Sequence, residues 1–176
     1  ILEKEPFVHA AEMMLDFYAQ IRDELGVVFE HLNLGGGFGI KYRDEDLTIP
    51  YEEYMAAVSV AVHSKCKVKE LPTPKIFIEP GRSIVGEAGI TLYTVGSIKE
   101  IPGVRNYVTI DGGMFDNPRY ALYQADYTCL IANKADQPAD YIATIAGKCC
   151  ESGDLIQEHT ALQTPMEGDL LAVLST

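Results

Sequence analysis

The spacing of apolar residues changes at Gly86–Gly89, and no single kind of domain fits both sides of that change. Before it, Phe7, Ala10, Met14, Phe17, Tyr18, Ile21 and Leu25 recur at helical spacing, and Tyr51, Tyr54, Met55, Val58, Ala61 and Val62 do so again. Gly26 is placed to end the first helix in a left-handed cap. Pro50 suits the first turn of the second, and Leu71-Pro72-Thr73-Pro74 stops it. Each helix precedes an apolar run, Val27–Leu34 or Lys75–Ile78, and strand, helix, strand with a right-handed crossover predicts parallel pairing. After Gly86 the helical spacing is gone. Short β-branched and aromatic runs follow at Ile90–Ile98, Tyr107–Ile110, Tyr127–Ala132, Tyr141–Ala146, from Leu155, and at Leu170–Leu174, with Pro102-Gly103 as the turn between the first two. The expectation is an α/β domain over residues 1–88 and an all-β domain over 89–176. Two strands of the parallel type fall short of the eight that close a (β/α)8 barrel, so the first domain is either small and open or the later part of a larger barrel. A start at Ile1 and a stop at Thr176 just after a strand-like run favour the second alternative.

Charge excludes one class of partner. With 26 acidic against 14 basic residues, a net charge of -12 argues against nucleic acid, whose phosphates are held by clustered Lys and Arg. No run approaches the ~18 apolar residues of a membrane span. Four cysteines, Cys66, Cys129, Cys149 and Cys150, form no CxxC pair and no regular framework, which suggests neither a metal site nor a disulfide scaffold and fits a reducing compartment such as the cytoplasm. Adjacent Cys149 and Cys150 leave open a strained vicinal disulfide, a rare ring.

Four stretches carry candidate chemistry. Gly35, Gly36 and Gly37 follow the first strand at the end where parallel sheets bind ligands, and backbone amides without side chains can cradle a phosphate; the alternative is a glycine turn with no ligand. No Gly-Lys-Ser or Gly-Lys-Thr follows, which excludes a Walker loop. Glu79, Pro80, Gly81 and Arg82 end the second strand at the same rim. A carboxylate there suits a phosphorylated heteroaromatic cofactor, because it keeps a ring nitrogen protonated and the ring a better electron sink; a surface ion pair is the plain alternative. Residues 111–123, DGGMFDNPRYALY, read as an irregular loop in which Arg119 could hold a carboxylate bidentately and Tyr123 add a hydrogen bond; an ordinary exposed loop, which composition alone favours, is the plain alternative. The fourth stretch is GKCCESGDLIQEH, Gly147–His159, where Cys150 and Glu151 stand together on a loop between two strands; buried cysteine in a tight turn is its plain alternative.

LNLGGGFGI, IEPGRSIVGEAG, IDGGMFDNPRYALY and CCESGD, in this order, resemble the pyridoxal-phosphate decarboxylases built from an alanine-racemase-type barrel and a β-domain, and among them the diaminopimelate decarboxylase family. The resemblance runs along essentially the whole chain. Each motif alone is weak, and the set is specific, with Cys-Glu-Ser-Gly-Asp separating this branch from the ornithine and arginine decarboxylases. It implies that Gly35, Gly36 and above all Gly37 bind the phosphate of pyridoxal 5'-phosphate, that Glu79 faces the pyridine nitrogen, and that Pro80, Gly81 and Arg82 line the same site, with Arg82 also near the substrate. Arg119 and Tyr123 are implied to hold the far carboxylate of the substrate, Glu151 its ammonium, and Cys150 to be the proton donor. The implied reaction is decarboxylation of meso-2,6-diaminoheptanedioate to L-lysine, in a homodimer with shared active sites.

Departures are visible too. Tyr120 stands where the family usually has proline, and the lysine that holds the cofactor, a stacking histidine and a later tyrosine have no matching position. The expectation is a segment of a longer enzyme, inactive alone. Rival readings are another decarboxylase of this fold, acting on carboxynorspermidine, ornithine, arginine or a D-amino acid, and a non-catalytic cofactor-binding domain.

Overall fold

The computed structural model describes residues 1–43 and 45–176; Asp44, within the predicted loop Lys41–Ile49, lies outside the described residues. The chain divides into two compact units, Ile1–Ile40 with Leu47–Val85, and Lys41–Asp46 with Gly86–Thr176.

In the first unit α1 (Glu5–Leu25), β1 (His31–Asn33), α2 (Tyr51–Lys69), β2 (Lys75–Phe77) and the single turn α3 (Arg82–Val85) follow in order. Gly26 adopts φ 70° and returns its N–H to the Arg22 carbonyl, the left-handed cap expected of it. The buried face of α1 differs from the expected one. Phe7, Ala11, Leu15 and Ala19 are buried, whereas Met14, Phe17 and Leu25 are 38%, 50% and 70% exposed. The sequence pattern weights large side chains, but the packed stripe steps by four and includes two alanines, which lets α1 lie close to the matching stripe of α2, Tyr54, Val58, Val62 and Cys66. Lys65 and Lys69 of α2 each reach Asp16 of α1 at 2.8 Å. Phe7 stacks on Phe38 with centroids 4.6 Å apart, and Tyr54 meets both edge-on.

The two strands pair in parallel as expected, His31 opposite Lys75, Leu32 opposite Ile76 and Asn33 opposite Phe77. They are shorter than the apolar runs. A strand lasts only as far as its neighbour supplies bonds, and β2 offers three residues, so Val27, Val28 and Phe29 stay unpaired in this sheet and exposed.

The second unit holds β3 (Ile90–Ile101), β4 (Arg105–Ile110), α4 (Arg119–Tyr123), β5 (Cys129–Ile131), β6 (Tyr141–Ala146), β7 (Leu155–Leu162) and β8 (Leu170–Leu174). The expected β-domain is thus a single six-stranded sheet, ordered β5-β8-β3-β4-β6-β7 and antiparallel except for β4 with β6. β3 pairs with β8 over its first half and with β4 over its second, bending between Val95 and Ile98. Pro102-Gly103 makes the expected turn, with Gly103 at φ 73°. Val95, Val108, Ile131, Ile145, Ile156, Leu162, Leu171 and Val173 fill the core at 1% exposure or less.

The two edge strands are bridged by side chains. Gln157 and Gln163, both buried, accept the backbone N–H of Tyr127 at 2.9 Å and of Ile131 at 2.7 Å. Side-chain amides thereby satisfy buried donors that a closing ladder would otherwise take. One correction concerns the stretch 111–123: its last five residues form α4 rather than loop. Five residues are too few to show a period.

Candidate functional site

The candidate residues fall into two groups, one in each unit. In the first, Gly35 and Gly37 take φ 69° and 87°, conformations that side chains other than glycine's rarely adopt. Gly36 is glycine for a different reason: a Cβ there would lie 2.0 Å from the Glu79 carbonyl oxygen. The glycine loop therefore lies directly against the end of β2. Both polar backbone groups of Gly35 are engaged, its N–H donating to Asn33 Oδ1 at 2.8 Å and its carbonyl accepting from the Glu79 N–H at 2.7 Å. Asn33 completes the tie through Nδ2, which donates to Glu79 Oε1 at 2.6 Å. One asparagine thus sets both the glycine turn and the direction of the carboxylate.

Sequence reasoning missed Asn33. The only signal was its place two residues before the glycines, inside LNLGGG. Beyond Glu79 the chain turns through Pro80 and Gly81 into α3, with the Ser83 N–H bonded to the Pro80 carbonyl at 3.0 Å and the Ser83 hydroxyl held by Tyr51 Oη at 2.5 Å. Arg82 opens that turn. A glycine loop, a fixed carboxylate and an arginine on one short corner fit a planar, phosphorylated cofactor with a basic ring nitrogen, since each part of it has a complementary group.

In the second unit Arg119 and Tyr123 sit four residues apart on α4, where side chains share a face. The Arg119 guanidinium lies over the Tyr123 ring, 5.4 Å from its centroid. Tyr120 does not disturb this helix. Its hydroxyl donates to Glu158 Oε2 at 2.6 Å, and Arg105 holds the other oxygen at 2.5 Å, which fixes α4 against β7. Burial and then the Glu158 carboxylate push the Tyr120 phenol up to about 12. Tyr120 and Ala121 of α4 share a cavity of about 740 Å³ with Gly153 of the cysteine loop.

That loop, Gly147–Asp154, carries Cys149, Cys150 and Glu151, all exposed, and all four cysteines are free thiols. The Glu151 carboxylate rests on its own turn, accepting from the Ser152 hydroxyl at 3.2 Å and the Gly153 N–H at 3.1 Å. Desolvation and then the Asp154 carboxylate push the Cys149 thiol up. Asp154, quoted in the motif without a role, is 2% exposed and accepts the N–H of Met114 and of Cys149. Among the described residues no group of three or more His, Cys, Asp or Glu is placed to hold a metal ion, and no helix is long and apolar enough to cross a membrane.

Residues 1–86 match the family described as pyridoxal-dependent decarboxylase, pyridoxal binding domain. The diaminopimelate decarboxylase of Bacillus subtilis is 49% identical over 176 residues, all of this chain and 40% of its own length, and that of Staphylococcus aureus is 50% identical over 173 residues, 98% of this chain and 40% of its own. Among solved structures, diaminopimelate decarboxylase from M. jannaschii in complex with L-lysine superposes with a TM-score of 0.80 at 32% identity, covering 99% of this chain and 39% of that one. The chain spans about 40% of the length of the curated relatives it matches.

Proposed function

Because the chain belongs to the pyridoxal-dependent decarboxylase family, we propose that it supplies cofactor- and substrate-binding residues of a diaminopimelate decarboxylase, which converts meso-2,6-diaminoheptanedioate to L-lysine and carbon dioxide in lysine biosynthesis. The observation that carries the reading is the junction at Gly36, where the glycine loop meets the Glu79 corner and Asn33 fixes both. Pyridoxal phosphate, when bound, supplies the electron sink for the pair released as carbon dioxide leaves.

The chain's own residues have separate tasks. Gly36 and Gly37 would hold the phosphate, with Gly35 as the tie that shapes their turn. Glu79 would keep the ring nitrogen protonated, and Pro80, Gly81 and Arg82 would line the ring and the reacting end of the substrate. Arg119, stacked on Tyr123, would bind the far carboxylate, because its planar donors match two oxygens at once. Glu151 would take the far ammonium by releasing Oε1 from Ser152 and Gly153. Cys150 would deliver the proton that replaces the lost carboxylate. The reading includes a homodimer that shares its active sites and a cytoplasmic location.

The far-end assignment has a direct test. Glu151→Gln in the full chain loaded with pyridoxal phosphate raises KM for meso-diaminoheptanedioate about tenfold to a hundredfold, the range for losing a charged hydrogen bond, with cofactor content unchanged. Unaltered turnover at low substrate would remove Glu151 from recognition.

A further inference from the structure

We propose that Asp154 is the positioning residue of the cysteine loop, setting Cys150 and Glu151 by pinning that loop to the Gly112–Met114 turn; the inference rests on the function proposed above. Its carboxylate spans two segments far apart in sequence. Oδ1 accepts the Met114 N–H at 2.6 Å and Oδ2 accepts the Cys149 N–H at 2.7 Å. The Asp154 backbone closes the loop on itself, its carbonyl accepting the Gly147 N–H at 2.8 Å and its N–H donating to the Glu151 carbonyl at 3.1 Å. Lys148 adds a second tie, its N–H reaching the Gly112 carbonyl at 3.1 Å and its ammonium lying 5.3 Å from the Phe115 ring centroid.

Two glycines record the fit. A Cβ on Gly113 would stand 2.4 Å from Asp154 Oδ1, and one on Gly147 would stand 2.2 Å from Oδ2. Both positions are clear only without a side chain, so the carboxylate occupies a slot cut for it by glycines on either wall. The residue that follows the bonded Cys149 amide is Cys150, and the next is Glu151. A carboxylate that fixes that amide fixes where the thiol and the neighbouring carboxylate start from. Asparagine cannot replace it, because it has one acceptor oxygen for two N–H donors and its NH2 would face a donor.

The test compares Asp154→Asn and Gly147→Ala with the parent in the full chain loaded with pyridoxal phosphate. Amide hydrogen exchange should rise at residues 112–116 and 147–154 in both variants while β3 and β8 keep their protection, which separates loop release from unfolding. Misplacing reacting groups by about 1 Å can cost about a hundredfold in rate; kcat should fall at least about tenfold and KM for diaminoheptanedioate rise, with cofactor affinity within about twofold of the parent. A purely structural role would lower the melting temperature and leave kcat per folded molecule intact. Unchanged exchange in both loops, or unchanged kcat and KM, overturns the inference. Cys150→Ala is run alongside: a parent that releases no carbon dioxide from diaminoheptanedioate fails the proposed function, a silent Cys150→Ala fails its assignment of the proton donor, and a damaged Cys150→Ala beside a silent Asp154→Asn defeats the positioning role alone.

Discussion

Cys150→Ala in the full, cofactor-loaded chain lowers kcat for meso-diaminoheptanedioate about 10²- to 10⁴-fold, the range that a positioned general acid contributes. The thiol is exposed on a loop held at Asp154, and its neighbour Cys149 is the one whose amide that carboxylate binds. Fixing the preceding residue leaves Cys150 able to present its S–H to a ligand. Alanine keeps the loop geometry and removes only the proton, so KM and cofactor content should stay near the parent values. Cys149→Ala should do much less, since that thiol lies beside a carboxylate rather than at a candidate substrate position. Carbon dioxide release under saturating substrate reads the difference. Full activity in Cys150→Ala would mean that another group delivers the proton.

Gly36→Ala removes bound pyridoxal phosphate. The added methyl would lie 2.0 Å from the Glu79 carbonyl oxygen and 3.1 Å from its carbon, and both are backbone atoms that cannot swing aside. Either the loop or the end of β2 must move, at a cost of ~1–3 kcal/mol for overpacking. Movement of either separates the candidate phosphate cradle from the Glu79 carboxylate and breaks the bonds through Asn33. A rise in the cofactor Kd of about a hundredfold corresponds to ~2.7 kcal/mol, within that range. The visible absorbance retained after dialysis measures it. Retention of cofactor at the parent level would mean that the loop and the carboxylate serve different ligands.

Much of this arrangement is legible in the sequence because it rests on local pattern. Helical spacing marks α1 and α2, β-branched runs mark the strands, and the limits of β6 and β8 are those of the runs Tyr141–Ala146 and Leu170–Leu174. The buried face of α1 is not legible, because Ala11 and Ala19 pack by being small and carry no strong hydrophobic signal. Strand length fails for a related reason: Val27–Phe29 look like strand, but pairing depends on how far β2 extends.

The site divides along the same line. Gly35–Gly37, Glu79 and Cys150 stand out as residue types in unusual company. Asn33 and Asp154 do not, since each works by accepting a backbone N–H, and nothing about an amide donor shows in residue identity. Gln157 and Gln163 are hidden for the same reason, polar residues in a strand region whose partners are main-chain groups of β5 and its approach. Reading such residues needs the fold first.

Product analysis tests the central claim most directly: the full chain with pyridoxal phosphate is given meso-2,6-diaminoheptanedioate, and in parallel L-lysine, L-ornithine and L-arginine, and carbon dioxide and amines are quantified. The account predicts one carbon dioxide and one L-lysine per diaminoheptanedioate consumed, with kcat/KM for the other three at least about 10⁴-fold lower, as for a site built to hydrogen-bond a group that they lack. Comparable carbon dioxide release from ornithine or arginine, or none from diaminoheptanedioate, would contradict it.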